Sequence, residues 1–189
     1  MRIGVLILPS APWVKAQDMW RTADDMGFAH AWTSDHIAWQ DMIGKEWYSA
    51  VPTLAAAAVV TRRIKLGTLV SSPNLRHPVP YAKEVVTVNE MSSGRFILGI
   101  GAGGSGVDAT CLGQDQEWTP IERAERFAEF VELMASLLST PSPVPMASTT
   151  RHDRRPSHRW TPPPHTYRWR SPPTGNAAWP SRHVTGTSG

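Results

Sequence analysis

Residues 54–104 read LAAAAVVTRRIKLGTLVSSPNLRHPVPYAKEVVTVNEMSSGRFILGIGAGG. Apolar stretches of helical length alternate here with short β-branched runs, and this alternation decides the fold class. Residues 51–61 are Ala-rich and suit a helix, while residues 64–70 (IKLGTLV) suit a buried parallel strand closed by Ser71-Ser72-Pro73. Residues 78–91 predict the next helix, with Ser92-Ser93-Gly94 as its stop signal. Residues 95–100 (RFILGI) predict the next strand, which opens into the glycine-rich segment 101–106.

The same alternation extends in both directions. Upstream, residues 2–8 (RIGVLIL) read as a strand closed by Pro9-Ser10. Residues 13–26 place Trp13, Ala16, Met19, Trp20 and Ala23 at helical spacing, and Gly27 follows where a helix commonly stops. Residues 28–32 (FAHAW) read as a strand that delivers Ser34-Asp35-His36 at its carboxyl end. Downstream, Thr119-Pro120-Ile121-Glu122 has the layout of a capping box with proline at the first helical position. The helix it starts turns Phe127, Phe130, Val131 and Met134 towards one side. Four βα units in series imply an α/β fold with parallel strands and right-handed crossovers. Half of an eight-stranded barrel and a small doubly wound sheet both satisfy this pattern, and periodicity does not choose between them.

Composition divides the chain after residue 140. Residues 1–140 carry 12 Lys+Arg and 15 Asp+Glu, with Leu, Ile and Phe throughout. Residues 141–189 carry seven Arg, one acid (Asp153) and 10 of the 17 prolines, with no Leu, Ile or Phe. A segment so poor in branched aliphatics cannot bury enough surface to offset its chain entropy. The basic character of the whole chain therefore comes from this tail alone. Cys111 is the single cysteine, which excludes a disulfide scaffold. The longest apolar stretch, residues 54–60, is far short of the ~20 residues that a membrane span needs. Met1-Arg2-Ile3 leads straight into a strand with no signal-peptide layout, so a cytoplasmic location is expected.

Sites in parallel α/β folds form beyond the carboxyl ends of the strands. Pro9-Ser10, Ser34-Asp35-His36, Ser71–Asn74 and the 101–106 glycine segment all fall there. His36, beside Asp35 and near Trp39, is the sharpest candidate for donating a hydrogen bond or relaying a proton; capping the next segment is the plainer role. Gly101, Gly103 and Gly106 spell GxGxxG, but it follows the fourth strand and no helix is expected at once, so it is weak as a dinucleotide fingerprint. Close backbone approach to a flat ligand and a simple turn both fit it. Arg76 could meet a phosphate, though pairing with an acid is the commoner role. Cys111 is expected to be a packed thiol, and Met19, Met26, Trp20 and Trp32 to lie in the core. His30 is expected to pack rather than react. No metal-ligand spacing occurs, and His152, His158, His165 and His183 are assigned no function.

The 54–104 stretch, together with MRIGVLILP at the start and GFAHAWTSDH at 27–36, resembles the luciferase-like family of flavin-dependent oxidoreductases over about residues 1–138. The resemblance implies a (β/α)8 barrel and an oxidoreductase, monooxygenase in type, that binds FMN or the deazaflavin coenzyme F420 and acts on a small organic substrate. The RHP and GIGAGG forms seen here lean towards F420. It implies that His36 lies against the reactive ring and that Asp35 lines the same pocket. It also implies a non-proline cis peptide at Leu69–Val70 behind the ring, Ser72 in contact with the coenzyme, and Ala102 and Gly103 along the ring's edge. Two departures set this chain apart from the family's sugar-phosphate dehydrogenases. Trp39 follows His36 by three residues where theirs follows by four, and Gly104 stands where they carry a glutamate.

A barrel of this kind commonly takes ~250 residues, so the resemblance covers its N-terminal half. We expect residues 1–138 to be that half and residues 139–189 to be a low-order tail that arises from a frame shift near residues 139–145. Re-reading the codons of residues 177–186 from their third base admits GMALAARYG, a helix sequence of the family's later half. Such a chain is expected to be poorly soluble or partly folded and to bind coenzyme weakly. Pairing of two copies into a closed homodimer is one alternative. Nucleic-acid binding through Trp160, Tyr167 and Trp169 among the tail arginines is a weaker one, and it would be non-specific.

Overall fold

The computed structural model describes residues 1–39, 42–104, 107–113 and 118–139. Four strands, β1 (Gly4–Leu6), β2 (His30–Thr33), β3 (Lys65–Thr68) and β4 (Phe96–Ile97), form one sheet. All neighbours are parallel, and the order is β1-β2-β3-β4. This order answers the question that periodicity left open. A doubly wound sheet reverses strand order at a switch point, whereas here each strand lies beside its predecessor, as in the first half of a barrel. Between the strands run α1 (Trp13–Asp25), α2 (Ala50–Val60) and α3 (Pro78–Met91). After β4 come a one-turn helix, α4 (Val107–Cys111), and the long α5 (Pro120–Ser139). The capping box forms: Thr119 N–H donates to Glu122 Oε2 at 2.8 Å, and Glu122 N–H donates to Thr119 Oγ1 at 3.2 Å.

The core lies on the helix side of the sheet. Ile7, Ala31 and Leu66 project there against Trp20, Ala23, Leu54, Ala57 and Val88. A second cluster, Tyr81, Ala82, Val85, Phe130 and Met134, joins α3 to α5. On the opposite face the in-register row Leu6, Trp32, Gly67 and Ile97 lines what would be a barrel interior. Gly67 makes room for the indole, since a Cβ there would lie 2.6 Å from Trp32 Cζ3. Leu6 and Leu8 are 48% and 40% exposed.

Two polar staples close the amino-terminal side of the sheet. The buried Asp24 carboxylate accepts from the backbone N–H groups of Arg62 (2.7 Å), Arg63 (3.1 Å) and Ile64 (2.7 Å). Arg95 donates to the carbonyls of Ala58 and Thr61 at the end of α2, of Ile64 before β3 and of Ser92 at the end of α3, so one guanidinium joins the two helix ends.

Several sequence expectations need correction. Met19 and Met26 are exposed, at 49% and 70%. The buried stripe of α1 is Ala16, Trp20, Ala23 and Asp24, which turns Met19 outward, while Met26 lies past the helix end as its C-cap. Trp20 is fully buried and Trp32 half-buried. Val131 is 37% exposed because α5 presents Phe130 and Met134 to α3. Cys111 is exposed, since the single turn of α4 buries Ala109 instead. A helix does follow the glycine segment, beginning at Val107, but it is five residues long and comes after the fourth strand. Ser105, Gly106 and residues 140–189 lie outside the described residues, as do the expectations placed on them.

Candidate active site

Three loops at the carboxyl ends of β2, β3 and β4 are tied together by side chains far apart in the chain, His36 and Asp108 being 72 residues apart. Asp35 is the hub. It is 3% exposed, and each of its carboxylate oxygens is occupied: Oδ1 accepts from Arg76 Nη2 at 2.6 Å, and Oδ2 accepts from the Ser71 hydroxyl. Ser71 in turn accepts from the Tyr81 hydroxyl. Burial pushes the Tyr81 phenol up, which keeps it a donor. The Arg76 guanidinium lies 4.8 Å over the Tyr81 ring. Asp35 is thus buried and ties the loop after β2 to Ser71 and Arg76 in the loop after β3. Arg76 takes the plainer of its two roles and pairs with an acid.

The Leu69–Val70 peptide is cis. It presents two apolar side chains outward, Leu69 at 48% and Val70 at 37% exposed. Beside it, Ser71 N–H donates to Gly99 O at 2.9 Å and Gly101 N–H donates to Ser71 O at 2.7 Å, so the glycine segment runs alongside the bulge. A Cβ on Gly101 would lie 2.6 Å from Val70 Cγ2. Gly103 has φ +74°, and a Cβ there would lie 2.6 Å from Asn74 Nδ2 and 3.1 Å from Ser72 Oγ. The strip Gly101-Ala102-Gly103 is therefore half-buried, with nothing larger than the Ala102 methyl at its own positions. Ser72 Oγ accepts from Asn74 N–H at 3.2 Å, and Arg126 on α5 donates to Asn74 Oδ1 at 2.8 Å.

His36 follows Asp35 on the loop after β2 and is tied to Asp108 on α4, after β4. Its side chain is 27% exposed, and its Nδ1 lies 2.6 Å from Asp108 Oδ2. The Trp39 ring is 4.5 Å away, inclined at 54°. Trp47 Nε1 donates to the His36 carbonyl at 2.9 Å. Burial pushes the Asp108 carboxyl up, but bonds from His36 and from the Ile37 and Ala38 N–H groups outweigh it and leave the carboxyl below its usual range. Asp108 went unremarked in the sequence. The signal available was slight: it is the only acid between Glu90 and Asp115, a few residues past the glycine segment. Among the described residues, no group of three or more His, Cys, Asp or Glu side chains could hold a metal ion.

Residues 1–181 match the luciferase-like monooxygenase family. The chain belongs to that family. It is 36% identical over 100 residues to a 5,10-methylenetetrahydromethanopterin reductase of Methanopyrus kandleri, covering 53% of this chain and 26% of the relative. It is 38% identical over 117 residues to an F420-dependent glucose-6-phosphate dehydrogenase of Beutenbergia cavernae, covering 61% of this chain and 34% of the relative. The solved coenzyme F420-dependent tetrahydromethanopterin reductase of Methanopyrus kandleri superposes with a TM-score of 0.58 at 28% identity, over 70% of this chain and 39% of that one. A type II Baeyer-Villiger monooxygenase component from Pseudomonas putida, solved with FMN, shares the fold at 21% identity, with a TM-score of 0.57 over 71% of this chain and 38% of that one. These relatives are oxidoreductases by name. The described sheet thus corresponds to four consecutive units of the TIM barrel found in luciferase-like enzymes, and the chain spans 26% and 34% of the two curated relatives' lengths.

Proposed function

We propose that these loops form the coenzyme face of an oxidoreductase that uses coenzyme F420, with FMN as the alternative, on a small organic substrate. One observation carries this reading. The apolar bulge at Leu69 and Val70 lies against the small-residue strip at 101–103, and Asp35, the neighbour of His36, is bonded to Ser71 beside that bulge. A flat ring with a polar edge is the shape such a surface accommodates. The coenzyme, when bound, would supply two-electron chemistry at that ring. Leu69 and Val70 would offer apolar contact to one face, and the backbone of Ala102 and Gly103 would allow close approach at the edge. Ser72 would give a hydroxyl contact, and Asp35 would keep Ser71 and Arg76 in register below. His36 would hold or move a proton at the substrate. F420 is preferred because the F420-dependent relative is 38% identical, whereas the FMN-bound structure shares only the fold at 21%.

Fluorescence titration of the full chain with F420 and with FMN tests the reading. Saturable quenching by F420, tighter than by FMN, is expected. Gly103→Val, which forces a β-branched residue to positive φ and against Asn74, is expected to weaken it about tenfold, or about 1.4 kcal/mol. Absence of saturable binding by either coenzyme would overturn the reading.

A further inference from the structure

We propose that Asp108 is the positioning residue of His36, holding the imidazole as its Nδ1–H tautomer and leaving Nε2 as the ring's acceptor. The inference rests on reading this rim as the reaction centre, and it adds a residue to that centre. An ionised carboxylate only accepts hydrogen bonds, so the 2.6 Å approach of Asp108 Oδ2 to Nδ1 requires the proton to sit on Nδ1. The other oxygen, Oδ1, is already taken by the backbone N–H groups of Ile37 at 2.8 Å and Ala38 at 3.2 Å. These are the two residues that follow His36, so the carboxylate is locked by the chain segment whose side chain it orients. Buried Ala109 anchors α4 on the neighbouring position. Trp39 against the ring and Trp47 on the His36 carbonyl restrict the histidine further. Nε2 is then the ring nitrogen left to accept a proton from a bound substrate.

The test is a long-range proton–nitrogen correlation spectrum of the full chain carrying ring-labelled histidine. It is recorded at pH ~9, above the ordinary imidazole range, and His36 is assigned by its loss in His36→Gln. In the wild type, Nδ1 is expected to show the shift of a protonated nitrogen and Nε2 that of an unprotonated one; the opposite pattern overturns the proposal with no variant needed. Asp108→Asn is expected to reverse the pattern. An amide has one acceptor oxygen, the two backbone N–H groups hold it, and the NH2 then faces Nδ1. An unreversed tautomer in a variant with wild-type circular dichroism overturns the proposal. With a small secondary alcohol as probe substrate and F420 as acceptor, Asp108→Asn is expected to lower turnover about 10–100-fold with coenzyme affinity unchanged. An Nδ1–H tautomer in a chain that binds no coenzyme supports the pairing and overturns the functional reading instead.

Discussion

Asp24→Ala is expected to destabilise the fold by about 3–5 kcal/mol. The side chain is 5% exposed, and its two oxygens serve three consecutive N–H groups, those of Arg62, Arg63 and Ile64, where the chain leaves α2 for β3. Alanine would strand those donors beneath α1, and Arg63, which also donates to the Asp24 carbonyl, would lose its carboxylate neighbour. Against a total stability of ~5–15 kcal/mol for a domain, this is a large fraction. In urea melts the midpoint should fall sharply. Burial alone would raise the Asp24 pKa, but the three backbone bonds and the Arg63 charge lower it overall. The contribution of this side chain is therefore fully present above the unfolded value of ~3.9 and disappears as pH falls through the lower folded value. The gap between wild type and Asp24→Ala should be widest near neutrality and should close in acid. A gap of equal size at every pH would show that the ionised carboxylate is not the stabilising group.

Gly99→Ala is expected to cost about 3 kcal/mol or more, with a fall in Tm on the order of 10 °C. A Cβ at this position lands on the Thr68 carbonyl oxygen, a backbone atom that cannot step aside as a flexible side chain would. The Gly99 carbonyl also accepts from Thr68 Oγ1 at 2.8 Å and from Ser71 N–H at 2.9 Å. Relief of the clash would therefore push the glycine segment away from the bulge and break the bonds that align them. Coenzyme affinity should fall along with stability. Thermal melts combined with the fluorescence titration check this, and unchanged values of both would show that the two loops are not in the contact described.

The sequence was most legible where the physics is local. The helix expected over residues 78–91 is α3 with the same bounds, and the Thr119 capping box forms because both its partners lie within one turn. Strand ends were read too long: the run 95–100 contracts to Phe96–Ile97, with Ile100 joined only by a bridge to Ser71. The choice between a barrel and a doubly wound sheet was not legible, because strand order depends on contacts between segments far apart in the chain. The resemblance named the cis Leu69–Val70 peptide, which periodicity has no means of showing. Asp108 was missed because α4 is too short to display a helical period, and its partner His36 lies 72 residues away. Asp35 was singled out by its position after β2, whereas its bonds to Arg76 and Ser71 join residues far apart in the chain and had no local signal.

We propose above all that a flat coenzyme ring sits on the bulge and glycine strip beside His36. Backbone amide correlation spectra of the labelled full chain, recorded during titration with F420, test it most directly. Shift changes centred on His36, Leu69, Val70, Ser72, Ala102 and Gly103 are expected. Changes centred instead on the apolar cavity of about 250 Å³ that Trp13, Trp20 and Tyr48 line between α1 and α2, with those six amides unmoved, would contradict it.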